Sequence, residues 1–123
     1  MNLNKAIKTL QFISVFVVIQ SCAEVIEKDL TKVTVQLSAP VDNLVTSDSV
    51  VSFHWEPVES AVNYKLQVVS PAFDSVAKFV ADTTIQTNLF YMTLLPGKYQ
   101  WRMQALNSSS NTSYSTPRNF TIQ

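Results

Sequence analysis

The residues that could carry chemistry are few and scattered. His54 is the one histidine of the chain and Cys22 its one cysteine. Between Val50 and Glu56, the apolar residues Val51, Phe53 and Trp55 alternate with Ser52, His54 and Glu56. Side chains on a strand alternate faces with a period of two, so His54 and Glu56 share an outward face. A general base needs a positioned partner within hydrogen-bond reach, and neither residue has a nucleophile beside it in sequence. No serine sits in a Gly-x-Ser-x-Gly elbow. The single glycine, Gly97, excludes every glycine-rich phosphate loop. One Cys and one His cannot form a Cys/His zinc cluster, and no calcium-loop spacing occurs. A paired-carboxylate hydrolase would have to be assembled by the fold from scattered acids. The expectation is a protein without catalytic residues, cofactor or metal.

Charge narrows the partners. The 123 residues hold nine basic and nine acidic side chains. Lys5 and Lys8 lie in the first ten residues, so from Cys22 onward seven basic residues face nine acidic ones, a net of −2. Nucleic-acid binding selects clustered Lys and Arg, and this balance argues against it. The single cysteine excludes an internal disulfide. A hydrophobic content of 46% is ordinary for a globular chain with one modest core.

The N-terminus reads as an address. Lys5 and Lys8 precede an apolar run from Leu10 to Ile19, interrupted by Gln11 and Ser14. That run falls well short of the roughly 20 residues a spanning helix needs. A basic stretch followed by a short apolar one is the pattern of a secretory signal peptide, here residues 1–21. Ile19-Gln20-Ser21-Cys22 resembles the bacterial lipobox. The resemblance implies that Cys22 is acylated by palmitoyl-type chains and becomes the first residue of the mature protein. The alternative is an ordinary signal peptide that contains a cysteine. Each buried methylene contributes about 0.8 kcal/mol, so two or three acyl chains anchor a protein to a membrane almost permanently. Residues 22–31 are then the lipidated Cys and a flexible acidic tether carrying Glu24, Glu27 and Asp29. This stretch resembles the acidic export signal of surface-exposed lipoproteins of the Bacteroidota type, or is simply a solvated linker. The implied location is the outer membrane, with surface and periplasmic sides both open.

Residues 32–123 read as strands. Lys98 to Ala105 alternates without a slip: Tyr99, Trp101, Met103 and Ala105 on one face, Lys98, Gln100, Arg102 and Gln104 on the other. The same period marks Val33–Leu37, Val51–Trp55 and Tyr64–Val68. A more polar strand is expected over Lys78–Thr84, another over Leu89–Leu94, and a last one around Phe120 and Ile122. Pro40, Pro57, Ser70-Pro71, Pro96-Gly97 and Pro117 punctuate them. Asn107–Thr112 reads as a low-complexity loop. Seven short strands with turn signals every ten or so residues predict an all-β fold, an antiparallel β-sandwich of immunoglobulin-like type. The intervals are too short for βαβ crossovers.

The ordered set Phe53-x-Trp55-x-Pro57, Tyr64-x-Leu66-x-Val68 and Leu94-x-Pro96-Gly97-x-Tyr99-x-Trp101-x-Met103-x-Ala105-x-Asn107 resembles a fibronectin type III domain. The resemblance covers nearly all of residues 33–123. It implies that Trp55, Tyr64 and Trp101 are core, and that Leu94 and Tyr99 form a tyrosine corner in which the phenol bonds back to backbone. In its bacterial setting it implies a non-catalytic module in a surface assembly, with an envelope protein partner. Direct carbohydrate binding is the alternative.

Three surfaces are candidate binding sites. Phe90 and Met92, out of phase with Leu89, Tyr91 and Leu94, are expected to face outward near His54, where an apolar patch can mark a protein partner. Lys98, Arg102 and Lys65, with Gln67, Gln100 and Gln104, are expected on one outer face that could meet a polar or acidic glycan. Tyr114 and Phe73 lie in loops, which often carry recognition. Against each stands partial burial or a merely solvated face. Asp48-Ser49-Val50, Asp74-Ser75-Val76 and Asp82-Thr83-Thr84 match a short O-glycosylation pattern of the same bacterial group, making Ser49, Ser75 and Thr83 candidate acceptors.

Overall fold

Alternating apolar segments broken by turn residues leave little choice but to pair as strands and bury one face each. The computed structural model describes residues 27–123. Cys22, the expected signal segment 1–21 and the first part of the acidic stretch lie outside the described residues. The elements are β1 (Leu37–Ala39), β2 (Leu44–Thr46), β3 (Val50–Trp55), β4 (Asn63–Ala72), β5 (Ser75–Ile85), β6 (Leu89–Thr93), β7 (Gly97–Leu106) and β8 (Arg118–Ile122). One sheet has the order β1-β3-β6 and the other β2-β8-β7-β4-β5. The inward faces of the two sheets meet in one core, with Phe53 and Trp55 from one sheet against Leu66, Val68, Trp101, Met103 and Phe120 from the other.

The chain holds eight strands in this region rather than the expected seven. The addition is β2, which pairs parallel with β8 through Leu44↔Phe120 and Thr46↔Ile122, so the sandwich is not wholly antiparallel. Its three residues are too few to show a period. The first strand begins later than its alternation predicts: Val33 and Val35 pack on the core, but the ladder to β3 starts at Leu37, where a register irregularity also falls. β4 runs on through Pro71 to Ala72. Its pairing with β7 ends at Val69↔Gln100, so Pro71 has a neighbour only in β5 and its missing N–H costs no ladder bond on the β7 side. β5 runs from Ser75 to Ile85, beyond the expected Lys78–Thr84 at both ends.

The loops are tied down. Tyr99 donates its phenolic hydrogen to the Leu95 carbonyl, the expected corner, and its ring stacks on Phe120. The Val58 amide donates to the Tyr64 hydroxyl at 2.8 Å, which fixes the chain between β3 and β4. Asn107–Thr112 is ordered rather than loose: Asn107 Oδ1 accepts from the amides of Ser109 and Ser110, and Thr112 is fully buried.

The acidic stretch is corrected most. From Glu27 to Thr31 it is docked onto the domain, not a free tether. Leu30 is completely buried in the core, and its amide donates to Ser110 Oγ at 2.9 Å. The Lys28 carbonyl accepts from Asn107 Nδ2, and Glu27 accepts from the hydroxyls of Ser108 and Ser109. A single leucine without periodic neighbours gives no sequence signal, yet it finds an apolar site between the sheets.

Leu30→Ala should lower the unfolding free energy by about 2–5 kcal/mol, read by urea denaturation, as for other buried leucines. An unchanged midpoint would contradict the docking. The Ser108 hydrogen bond is the main cause holding the Glu27 carboxyl below its ordinary value of 4.5. A depressed carboxylate stabilises the fold above its ordinary value, and that contribution is lost as pH falls through the depressed one. Hydrogen exchange at the Ser108 amide should therefore accelerate, relative to the strand core, as pH falls below the ordinary carboxylate value of 4.5 and through the depressed one, and Glu27→Gln should abolish that pH dependence.

Candidate binding face

β7 is central to the five-stranded sheet, so its outward residues sit in the middle of a broad face. Cross-strand register places Gln67 opposite Arg102, Lys65 opposite Gln104, and Asn119 opposite Gln100. On the far side of β4, Asp82 lies opposite Gln67, and Lys65 meets it in a surface ion pair at 3.6 Å. Such exposed pairs contribute roughly 0–1 kcal/mol and here chiefly order the lysine.

Arg102 is the centre of this face. Its guanidinium carbon lies 4.1 Å from the centroid of the Phe73 ring and 4.3 Å from that of Tyr114. The guanidinium is therefore in cation–π contact with both aromatic rings. Its Nε donates to Gln67 Oε1 at 2.9 Å. Its terminal nitrogens make no hydrogen bond, and no carboxylate pairs with it, among the described residues.

Two local devices place the rings. The overrun of β4 past Pro71 carries the chain to Phe73, whose amide donates to Gln100 Oε1 at 2.7 Å. The same Gln100 donates through Nε2 to Asn119 Oδ1 at 2.9 Å. Tyr114 is placed by a ladder built partly from hydroxyl groups. Before β8 begins at Arg118, Ser115 Oγ accepts from the Met103 amide and Thr112 Oγ1 from the Ala105 amide. The amides of Thr112 and Ser115 donate back to the Ala105 and Met103 carbonyls. Residues 112–115 thus run along β7 as an irregular strand and lay Tyr114 over Arg102. Val69, opposite Gln100, is fully buried although it belongs to the outer face. The covering layer at that corner therefore excludes water.

The other expected site residues divide clearly. Trp55, Tyr64, Leu94, Tyr99 and Trp101 are all core. The indole N–H groups of the two tryptophans find no acceptor among the described residues. Phe90 and Met92 do not face outward: they lie opposite Phe53 and Val51 and pack on the core. Tyr91, opposite Ser52, is the exposed member at 59%. The sequence phase of β6 misleads because Leu89 and Tyr91 are as apolar as their neighbours, so only pairing with β3 decides the face. Lys98 is exposed; Gln100 and Arg102 are half-buried. Ser49 and Ser75 are exposed, whereas Thr83 lies opposite the buried Leu66 and is half-buried on the core side. His54 is half-buried and makes no hydrogen bond to a carboxylate among the described residues; Glu56 accepts only from Ser38. No group of His, Cys, Asp and Glu among the described residues could hold a metal ion.

No protein-family model matches the chain, and no curated protein does. Solved structures do. A fibronectin type III domain of human collagen alpha-1(XX) chain is similar with a TM-score of 0.52 at 17% identity, over 72% of this chain and 79% of that one. The corresponding domain of human fibronectin type III domain containing protein 3 gives 0.51 at 17% identity, over 78% and 90%. An Fn3-like protein from Clostridium thermocellum gives 0.51 at 15% identity, over 73% and 90%. The fold is that of a fibronectin type III domain. Identities this low establish the sandwich and its strand order and nothing about ligands.

A double-mutant cycle of Arg102→Met and Tyr114→Ala should show a coupling of about 0.5–2 kcal/mol in unfolding free energy, the range of a partly desolvated cation–π contact. Additive losses would mean that the two side chains do not interact in solution.

Proposed function

We propose that the protein is a non-catalytic lipoprotein, acylated at Cys22, that presents its fibronectin type III-like sandwich at the cell envelope as an interaction or spacer module within a surface protein assembly. The observation that carries this reading is the docking of residues 27–30. With Leu30 in the core and Glu27 held by Ser108 and Ser109, only residues 23–26 remain between the acylated Cys and the folded body. Five Cα–Cα steps reach at most about 18 Å. The domain then stands next to the membrane surface, held by its N-terminal pole.

Strand directions tell which connections share the pole of Glu27, and the orientation in this reading follows from them. The pole that receives Glu27 also carries the β3–β4 and β7–β8 connections, since Asn63 pairs with Leu106. The β4–β5 turn and the Leu94–Pro96 connection lie at the opposite pole. Both outer sheet faces then stand side-on to the membrane, open to a neighbour in the same assembly. Exposed Tyr91 on one face and Arg102 with its two rings on the other are the points a partner protein could grip. Tyr and Arg are the side chains that most often dominate such contacts.

A second reading, direct carbohydrate binding, is favoured by the polar character of the Arg102 face. Gln67, Gln100 and Gln104 are the register neighbours of Arg102 on this face, with Asn119 beyond Gln100 and Lys98 four residues away on β7.

Metabolic labelling with a clickable fatty acid should mark the wild-type protein and not Cys22→Ser, and only the wild type should sediment with membranes. Unlabelled wild-type protein released in soluble form would overturn the anchor.

A further inference from the structure

We infer that the Arg102 face is a binding site for an acidic saccharide, with the Arg102 guanidinium receiving a sugar carboxylate. The inference builds on the non-catalytic binding role but not on the lipid anchor. Three observations carry it together. The first is an unneutralised cation fixed in place. Phe73 and Tyr114 each contact the guanidinium and Gln67 holds Nε, so the terminal nitrogens are the part left to bind. Among the described residues they have no partner. A planar fork held this way offers parallel N–H groups to one carboxylate, the geometry in which arginine binds such groups best. Because the side chain is ordered beforehand, little rotamer entropy is lost on binding.

The second observation is charge. Lys98 and Arg102 share the face, and Lys65 is offset by Asp82. Lys98 and Arg102, neither in an ion pair among the described residues, therefore stand on one strand about 13 Å apart at the rise of an extended chain, while the Asp42 carboxylate, bonded to Asn119, marks the β8 side of the face. This occurs in a chain whose formal charge is zero. The field over this face favours an anion although the whole molecule does not.

The third observation separates a saccharide from an acidic peptide. The centre of a protein interface is usually apolar. Here, apart from the Phe73 and Tyr114 rings that contact Arg102, the side chains of the face are amide and hydroxyl: Gln67, Gln100, Gln104, Asn119 and Thr121. The exposed apolar residues of this face, Val45 and Phe79, stand at its two margins, on β2 and β5. Gln104 uses Nε2 on the Thr112 carbonyl and leaves its oxygen unbonded, while Gln67, buried at 8% exposure, is committed to holding Arg102 Nε. An acceptor thus flanks the guanidinium, as a sugar hydroxyl beside a carboxylate requires.

The test is calorimetric titration of the full chain in detergent with a galacturonate trisaccharide, a sialylated trisaccharide, the methyl ester of the galacturonate trisaccharide, and a tri-glutamate peptide. The expected result is saturable binding of at least one acidic saccharide. That binding should weaken with added salt, be at least about tenfold weaker for the neutral ester, and be at least about tenfold weaker in Arg102→Gln. Thermal melting establishes that the variant is folded. A readout on the unmutated protein stands beside it: the Arg102 Nε–H resonance and the Phe73 amide should shift on titration with the acidic saccharide. Equal binding of the ester, tighter binding of the tri-glutamate peptide, silence toward both acidic sugars at millimolar concentration, or shifts confined to the Tyr91 face would each overturn the inference. None of these outcomes bears on acylation at Cys22, so failure here and failure of the anchor are distinguishable.

Discussion

Trp101 meets Phe53 edge-on across the two sheets, with ring centroids 5.1 Å apart and planes at 73°. Phe53 in turn meets Phe120 at 5.9 Å, and Phe120 stacks on Tyr99 at 5.2 Å. This chain of rings links β3, β7 and β8 and sets how the three-stranded sheet lies on the five-stranded one. Edge-to-face pairs contribute beyond their buried area, and they also fix geometry, because a ring wedged between sheets tolerates little rotation. Everything else described here depends on that contact. The tyrosine corner, the pocket for Leu30 and the register of β7 all presuppose that Trp101 points inward.

Once Trp101 points inward, Arg102 must point outward, since neighbouring residues on a strand cannot share a face. The core therefore determines the outer face of this sheet one residue at a time. Gln100, Arg102 and Gln104 are presented in a row because Tyr99, Trp101, Met103 and Ala105 are buried beneath them. The outer face gains order from a second source. Phe73 and Tyr114 come from the β4–β5 turn and the chain before β8, and each is held by hydrogen bonds to β7 or its side chains. Two flanking segments thus converge on one cation. The resulting arrangement has the rigidity of the sheet rather than that of a loop.

The N-terminal segment works in the same way at one pole. Leu30 fills space between the sheets, and the hydroxyls of Ser108, Ser109 and Ser110 bond to Glu27 and to the Leu30 amide. A stretch that looks like low-complexity filler is a clamp. The mechanical result is that whatever precedes Glu27 is joined to a defined point on the domain.

What could be read without the fold was the strand set and the inward face. Strict alternation in β3, β4 and β7, with aromatic residues confined to one phase, leaves one way to bury them. The core tryptophans and the outward position of Arg102 were legible for that reason, and the tyrosine corner from the resemblance to fibronectin type III domains. The phase of β6 was not, because apolar residues occupy both faces and only pairing with Phe53 and Val51 chooses between them. β2 was too short for a period. The docking of Leu30 and the stacking of Phe73 and Tyr114 on Arg102 join residues far apart in sequence, through turns whose geometry no local pattern encodes. The sequence by itself thus determined which strands form and which way a strictly alternating strand must face, since both follow from the two-residue period. Only the tertiary structure decided what those outward residues meet, because contacts between distant segments depend on how the sheets close.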